Sequence, residues 1–118
     1  MQTEKQIRGA LGEQAAVEYL RKNGFLIVER NYRIGHSEVD IIAQRYDELH
    51  FVEVKTRKAG SMVTAELSIN EQKVRALQRA ASAYIAHHRS PFEPRFSLIT
   101  VEVVGDRVVD LQFVENMI

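Results

Sequence analysis

Residues 37–55 read Ser37-Glu38-Val39-Asp40-Ile41-Ile42-Ala43-Gln44-Arg45-Tyr46-Asp47-Glu48-Leu49-His50-Phe51-Val52-Glu53-Val54-Lys55, two runs rich in Val, Ile and Phe around a polar centre. β-branched and aromatic residues bounded by turn formers predict two strands, Ser37 to Ala43 and Leu49 to Lys55, joined through Gln44 to Glu48. A hairpin centred on Tyr46-Asp47 pairs Ile42 with Phe51, Asp40 with Glu53 and Glu38 with Lys55. Strand parity puts Glu38, Asp40 and Ile42 on one face, and Leu49, Phe51, Glu53 and Lys55 on one face of the next strand. Two carboxylates then oppose each other inside apolar strands, which is destabilising without a counter-charge.

A divalent cation is the expected counter-charge. Carboxylate oxygens suit a hard ion, Mg²⁺ or Mn²⁺, and two carboxylates on adjacent strands leave positions for water and a phosphate. Lys55 shares a face with Glu53 and is placed to orient a water or to stabilise charge on phosphorus oxygens. A third acid, Glu13, stands on the small and apolar side of a first helix, three, four and seven residues before Ala16, Val17 and Leu20. The plain alternative is a solvated sheet face carrying a Glu38–Lys55 ion pair.

Outward from this centre, Thr3 and Gln6 make a capping box for a helix over about residues 4–22, ended by Asn23-Gly24. Phe25 to Arg33 is a further strand, closed by Ile34-Gly35-His36. Residues 56–67 lack periodicity and are expected to be a mobile connection. Ser68 with Glu71 gives a second capping box, opening a helix with Val74, Leu77, Ala81, Tyr84, Ile85 and His88 on one face and stopping before Pro91. Phe96 to Val104 and Arg107 to Val114 are strands around Gly105-Asp106. The order α-β-β-β-α-β-β predicts an α/β fold, a mixed sheet flanked by helices, in one domain over 1–118.

The 118 residues are 45% hydrophobic, enough for one core and too few for two. There is no cysteine, which excludes disulfide scaffolds, zinc-thiolate sites and thiol nucleophiles. No membrane span or export segment is expected, and the expected location is the cytoplasm. The net charge of zero hides a segregation: residues 34–53 hold one basic and five acidic side chains, and residues 54–79 hold six basic and two acidic. The acidic stretch contains Asp40 and Glu53, and the basic one follows Lys55. Arg57, Lys73 and Arg75 from that stretch, with Arg33 at the end of the first strand, are the candidates for phosphate contact. His36, His87, His88 and the tyrosines are assigned no catalytic role.

Gly12-Glu13, Asn31-Tyr32-Arg33, Glu38-Val39-Asp40-Ile41-Ile42-Ala43 and Phe51-Val52-Glu53-Val54-Lys55-Thr56-Arg57 together resemble the uncharacterised bacterial YraN-like family, in order and over nearly the whole chain. That family is similar to the PD-(D/E)XK nucleases, whose restriction-endonuclease-like core also includes archaeal Holliday-junction resolvases. The resemblance implies metal ligands at Glu13, Asp40 and Glu53 and a catalytic lysine at Lys55, with Asp40, Glu53 and Lys55 forming the catalytic set. Val39 stands where the superfamily has proline, Ser37 where the family has glycine, and Ser97 where it has aspartate. The activity implied is Mg²⁺- or Mn²⁺-dependent endonuclease cleavage, with nucleic acid, DNA first, as partner, in branched or otherwise structured form. Two other readings remain: a nucleic-acid-binding module that is inactive alone or needs a partner, and an interaction protein using its final strand pair, Phe113, Val114, Met117 and Ile118 included. Self-association as a homodimer is left open.

Overall fold

The computed structural model describes residues 1–60 and 70–115. Its elements are α1 (Glu4–Lys22), β1 (Leu26–Ile34), β2 (Ser37–Arg45), β3 (Glu48–Lys58), α2 (Glu71–His88), β4 (Glu93–Val104) and β5 (Arg107–Val114), in the expected order. The strands form one sheet in the order β1-β2-β3-β4-β5. Neighbours run antiparallel except β3 and β4, which are parallel and are linked by the crossover that contains α2. The sheet is therefore mixed, as expected.

The two helices lie on opposite faces. Ala16, Val17 and Leu20 of α1 pack with Ile41, Ala43, Val52, Ile99, Val101 and Val103. Leu77, Ala80, Ala81 and Tyr84 of α2 pack with Val39, Ile42, Leu49 and Phe51. Central strand β3 is covered on both sides, so Leu49 to Glu53 are all buried. Burial on both faces is why this segment reads as a nearly unbroken apolar run.

Thr3 caps α1 as expected: its Oγ1 accepts the Gln6 N–H at 3.1 Å, and Gln6 Oε1 accepts the Thr3 N–H at 2.9 Å. Thr3→Ala is expected to lower stability by about 1 kcal/mol, read as a reduced midpoint in urea unfolding. The cap of α2 differs from expectation. It is Asn70, whose Oδ1 accepts the Lys73 N–H at 2.9 Å, while Ser68 lies outside the described residues. Asn and Ser cap equally well, so composition alone did not choose between them.

Two further boundaries are corrected. Thr56, Arg57 and Lys58 continue β3 in register with Val101, Glu102 and Val103 of β4, so the connection begins later than residue 56. β4 begins at Glu93 rather than Phe96, since Glu48 opens the parallel ladder opposite it. The buried face of α1 is Gly12, Ala16, Val17 and Leu20, while Ile7 near its start is 51% exposed. Among the described residues, no helix is long and apolar enough to cross a membrane.

Candidate functional site

The β2–β3 pairing has the expected register, Ile42 opposite Phe51, and it stops at Ile41 opposite Val52. Beyond that point the strands fork. β2 continues only along β1, with Val39 opposite Tyr32 and Glu38 opposite Arg33, and β3 continues only along β4. Asp40 stands at the fork, and its Oδ2 accepts the Val54 N–H at 2.8 Å, taking a donor that the ladder no longer uses.

The fork also overturns the simple parity of β2. Val39 packs under α2 and Ile41 under α1, although they are two residues apart, so the alternation breaks across Asp40. Asn31 lies between the β1 partners of Ile41 and Val39 and has a left-handed backbone, φ 54. Asparagine tolerates that conformation better than most residues. Its Nδ2 donates to Glu13 Oε1 at 3.1 Å, and Arg30 Nε donates to the same oxygen at 3.2 Å. Glu13 is thus fixed beside the fork by α1 and β1 together. The expected cross-strand pairings of Asp40 with Glu53 and of Glu38 with Lys55 do not form, because the ladder has ended; Glu38 meets Arg33 at 3.5 Å instead.

Glu53 is 4% exposed and its Oε1 accepts from Lys73 Nζ at 2.9 Å. Lys73 is held in its charged form: burial opposes the charge, but the bond to Glu53 and the charges of Glu53, Asp40 and Glu38 outweigh it. Asp40 is pushed up from its ordinary 3.8 to about 7, first by burial and then by the Glu53 charge, against the lowering effects of the Val54 N–H and Lys73. The negative charge at the fork exceeds what the protein's own cation neutralises.

A cleft of about 270 Å³ opens on the α1 side of the fork, lined by Lys5, Arg8, Gly9, Glu13, Asp40, Val54, Lys55 and Thr56. It brings together Glu13, Asp40 and Lys55. Glu53, on the α2 side with Lys73, couples to it through Asp40. In this state the oxygens of Glu13, Asp40 and Glu53 do not all lie within 4.8 Å of one another. Each carboxylate is engaged separately, by Arg30 and Asn31, by the Val54 N–H, or by Lys73.

Residues 12–101 match uncharacterised protein family UPF0102. The chain belongs to that family. A UPF0102 protein of Bacteroides thetaiotaomicron is 43% identical over 93 residues, 79% of this chain and 77% of the relative. One from Alkaliphilus oremlandii is 36% identical over 111 residues, 92% and 94% of the two chains, and one from Symbiobacterium thermophilum is 39% identical over 109 residues, 92% of each. The matched range contains Glu13, Asp40, Glu53 and Lys55.

The candidates for phosphate contact are all placed against carboxylates: Arg33 at 3.5 Å from Glu38, Arg57 at 3.2 Å from Glu102, Lys73 at 2.9 Å from Glu53, and Arg75 at 3.9 Å from Glu71. Lys5 and Arg8, which line the cleft, were not singled out in the sequence. Their only sequence signal is the four-residue spacing of Lys5, Gly9 and Glu13 along one side of the helix, with Arg8 next to Gly9.

The sequence reading also passed over His50. It is 1% exposed, its Nδ1 lies 3.0 Å from Ser97 Oγ and its Nε2 lies 3.2 Å from Glu48 Oε1. A neutral ring satisfies both contacts, donating from Nε2 to the carboxylate and accepting the Ser97 hydroxyl at Nδ1. Burial holds the ring below its ordinary pKa, opposed by Glu48 and Glu115. Ser97 thereby acquires a structural role as the partner of a buried histidine. Glu48, His50 and Glu115 bring ligand atoms within 4.8 Å of one another, but Arg95 holds Glu48 and Arg45 holds Glu115, each at 3.1 Å. With both acids matched by guanidinium groups, this network ties β3, β4 and the end of β5 together.

Proposed function

We propose that this protein is a Mg²⁺- or Mn²⁺-dependent endonuclease that hydrolyses phosphodiester bonds in nucleic acid, DNA in the first instance. The observation that carries this reading is the under-neutralised Asp40–Glu53 pair beside a cleft that also presents Glu13 and Lys55. The donor set is all carboxylate oxygen, which fits a hard divalent ion and no soft one. Asp40 and Glu53 would hold it, with Glu13 as the further ligand. A bound ion would supply Lewis-acid polarisation of a phosphate and a lowered pKa for an attacking water.

The chain's own residues do the rest. Lys55 is among the residues lining the cleft, two positions beyond Glu53 on β3, where its ammonium can orient the attacking water and stabilise negative charge on the phosphate oxygens. Lys73 balances Glu53 until another cation takes that role. The similarity to junction resolvases makes branched or structured DNA the substrate class to try first.

The separate engagement of the three carboxylates favours a second reading, a nucleic-acid-binding module of the same fold that is inactive alone or needs a partner. One pair of measurements separates the two. In calorimetric titration with Mn²⁺, the native protein is expected to bind and Asp40→Ala/Glu53→Ala to lose that binding. In a screen of single-stranded, duplex, flap and four-way DNA and structured RNA, metal-dependent cutting is expected for the native protein and not for Lys55→Ala. Salt-dependent nucleic-acid binding with no cutting in any metal would select the binding module.

A further inference from the structure

Beyond the metal-site reading, and resting on it only for the nature of the substrate, the cleft has one wall whose cations are uncommitted. Lys5 and Arg8 of α1 line it together with Lys55 and Thr56 of β3, and among the described residues Lys5, Arg8 and Lys55 make no ion pair. The cations first expected to hold phosphates do make such pairs, with Glu38, Glu102, Glu53 and Glu71. A guanidinium or ammonium already bound to a carboxylate must give up that contact to take a phosphate. An unpaired one loses only its water.

The backbone on the same wall also favours approach by a chain. Gly9 stands between Arg8 and Glu13 on the cleft side, and the space where a Cβ would sit has no atom within 4 Å. From Lys5 to Glu13 the helix rises about 12 Å. That length spans roughly three phosphates of one strand in a duplex. Arg8 also borders the adjoining cavity of about 550 Å³, whose lining carries Glu4, paired with Lys58 at 3.5 Å, and Asp106. The favourable stretch for a polyanion is therefore the short one from Lys5 and Arg8 to Lys55.

We propose that the phosphate backbone of the substrate strand runs along the α1 wall of the cleft, with Lys5 and Arg8 as its positioning contacts, and not along α2. These residues register the strand so that one phosphate reaches Lys55 and Asp40. Phosphate contacts set position and affinity without reading sequence.

The test is fluorescence anisotropy of a labelled DNA duplex and a labelled four-way junction over a salt series, with Ca²⁺ replacing Mg²⁺. Lys5→Gln/Arg8→Gln is expected to weaken binding about tenfold or more at low salt and to reduce the slope of log K against log salt by about two. Arg8→Lys should keep the slope. Arg21→Gln/Lys22→Gln, at the other end of the same helix, should leave both quantities unchanged and controls for overall charge. Equal unfolding midpoints exclude a folding defect; if the double variant fails to fold, Lys5→Gln alone should lower the slope by about one.

An unchanged slope in the variants, or a larger loss in Arg75→Gln on α2, would overturn the α1 track. If the native protein binds Mn²⁺ and cuts DNA while these variants bind normally, the nuclease reading stands and the track fails. If the native protein neither binds Mn²⁺ nor cuts, yet the slope falls as expected, the nuclease reading fails and the track stands. Absence of any DNA binding by the native protein sinks both.

Discussion

Asp40→Asn is expected to make the metal-free protein more stable at pH 8 while abolishing its metal binding. The Asp40 carboxyl has its pKa raised from 3.8 to about 7 by burial and by Glu53. The folded state therefore binds this proton more tightly than the unfolded chain, and ionisation opposes folding. Stability from this group is intact near pH 4, is lost as pH rises toward 7, and stays lost above. At about 1.4 kcal/mol per pKa unit, the full cost is of the order of 4 kcal/mol. Asparagine avoids the charge and still offers an oxygen to the Val54 N–H, though the neutral bond is weaker by about 1 kcal/mol. A net gain of about 2–3 kcal/mol at pH 8 is expected from urea unfolding.

His50 works in the opposite direction. Its pKa is lowered chiefly by burial, so stability is lost as pH falls below the ordinary 6.5. In the native protein the two groups offset each other on the acid side. In Asp40→Asn that offset is removed, and stability should rise with pH up to about 6.5 through His50, with Glu48, also lowered by its bond to His50, adding in the same direction at lower pH. Saturating Mn²⁺ should raise the native unfolding midpoint and leave that of Asp40→Asn unmoved. An Asp40→Asn protein less stable than native at pH 8 would show that Lys73 and the Val54 N–H already neutralise Asp40. Stability given up at a site in this way is the usual cost of assembling like charges for chemistry.

Gly12→Val should cost about 3 kcal/mol or more, a large share of the 5–15 kcal/mol typical of a domain. A Cβ at Gly12 would lie 2.8 Å from both Cβ and Cγ2 of Thr56, and closer still to Oγ1. Threonine is stiff at χ1 and cannot swing aside, so α1 would have to lift from β3. Lifting loosens Ala16, Val17 and Leu20 against Val52, Ile99 and Val101. Gly12→Ala should also destabilise, because overpacking of about 1–3 kcal/mol exceeds the gain of about 1 kcal/mol in helix propensity. Thr56→Ala should restore most of the loss in the double variant. Gly9→Ala, three residues earlier and facing open space, should instead stabilise by up to about 1 kcal/mol. Equal effects of alanine at Gly9 and Gly12 in urea unfolding would contradict the close contact.

Much of the fold was legible because it rests on local or periodic signals. The Thr3–Gln6 box, the strand runs and the Gly105-Asp106 turn each declare themselves within a few residues. Register between β2 and β3 followed from the turn, and Ile42 does meet Phe51. Three inferences failed at the same place. The pairings of Asp40 with Glu53 and of Glu38 with Lys55, and one face for Glu38, Asp40 and Ile42, all assumed a regular ladder, and the ladder forks at Asp40. Nothing in 37–55 signals the fork, which involves Asn31 of a different strand.

The phosphate-binding candidates show the same limit from another side. Arg57 follows Lys55 in a basic stretch, but its partner Glu102 is 45 residues away and meets it only across the β3–β4 ladder. Lys5 and Arg8 look like ordinary solvated helix residues until α1 is docked on β3 and brings them into one cleft with Lys55.

By itself, then, the sequence determined the elements, their order, and which acids and which lysine break the apolar strands, since hydrophobic periodicity, caps and turns act over a few residues. Only the tertiary structure decided where the ladder forks, that Lys73 balances Glu53, and which basic residues beside the cleft make no ion pair among the described residues. The reason is physical: a charge acquires its pKa and its partner from groups within a few ångströms in space, and those groups come from strands and helices far apart in the chain.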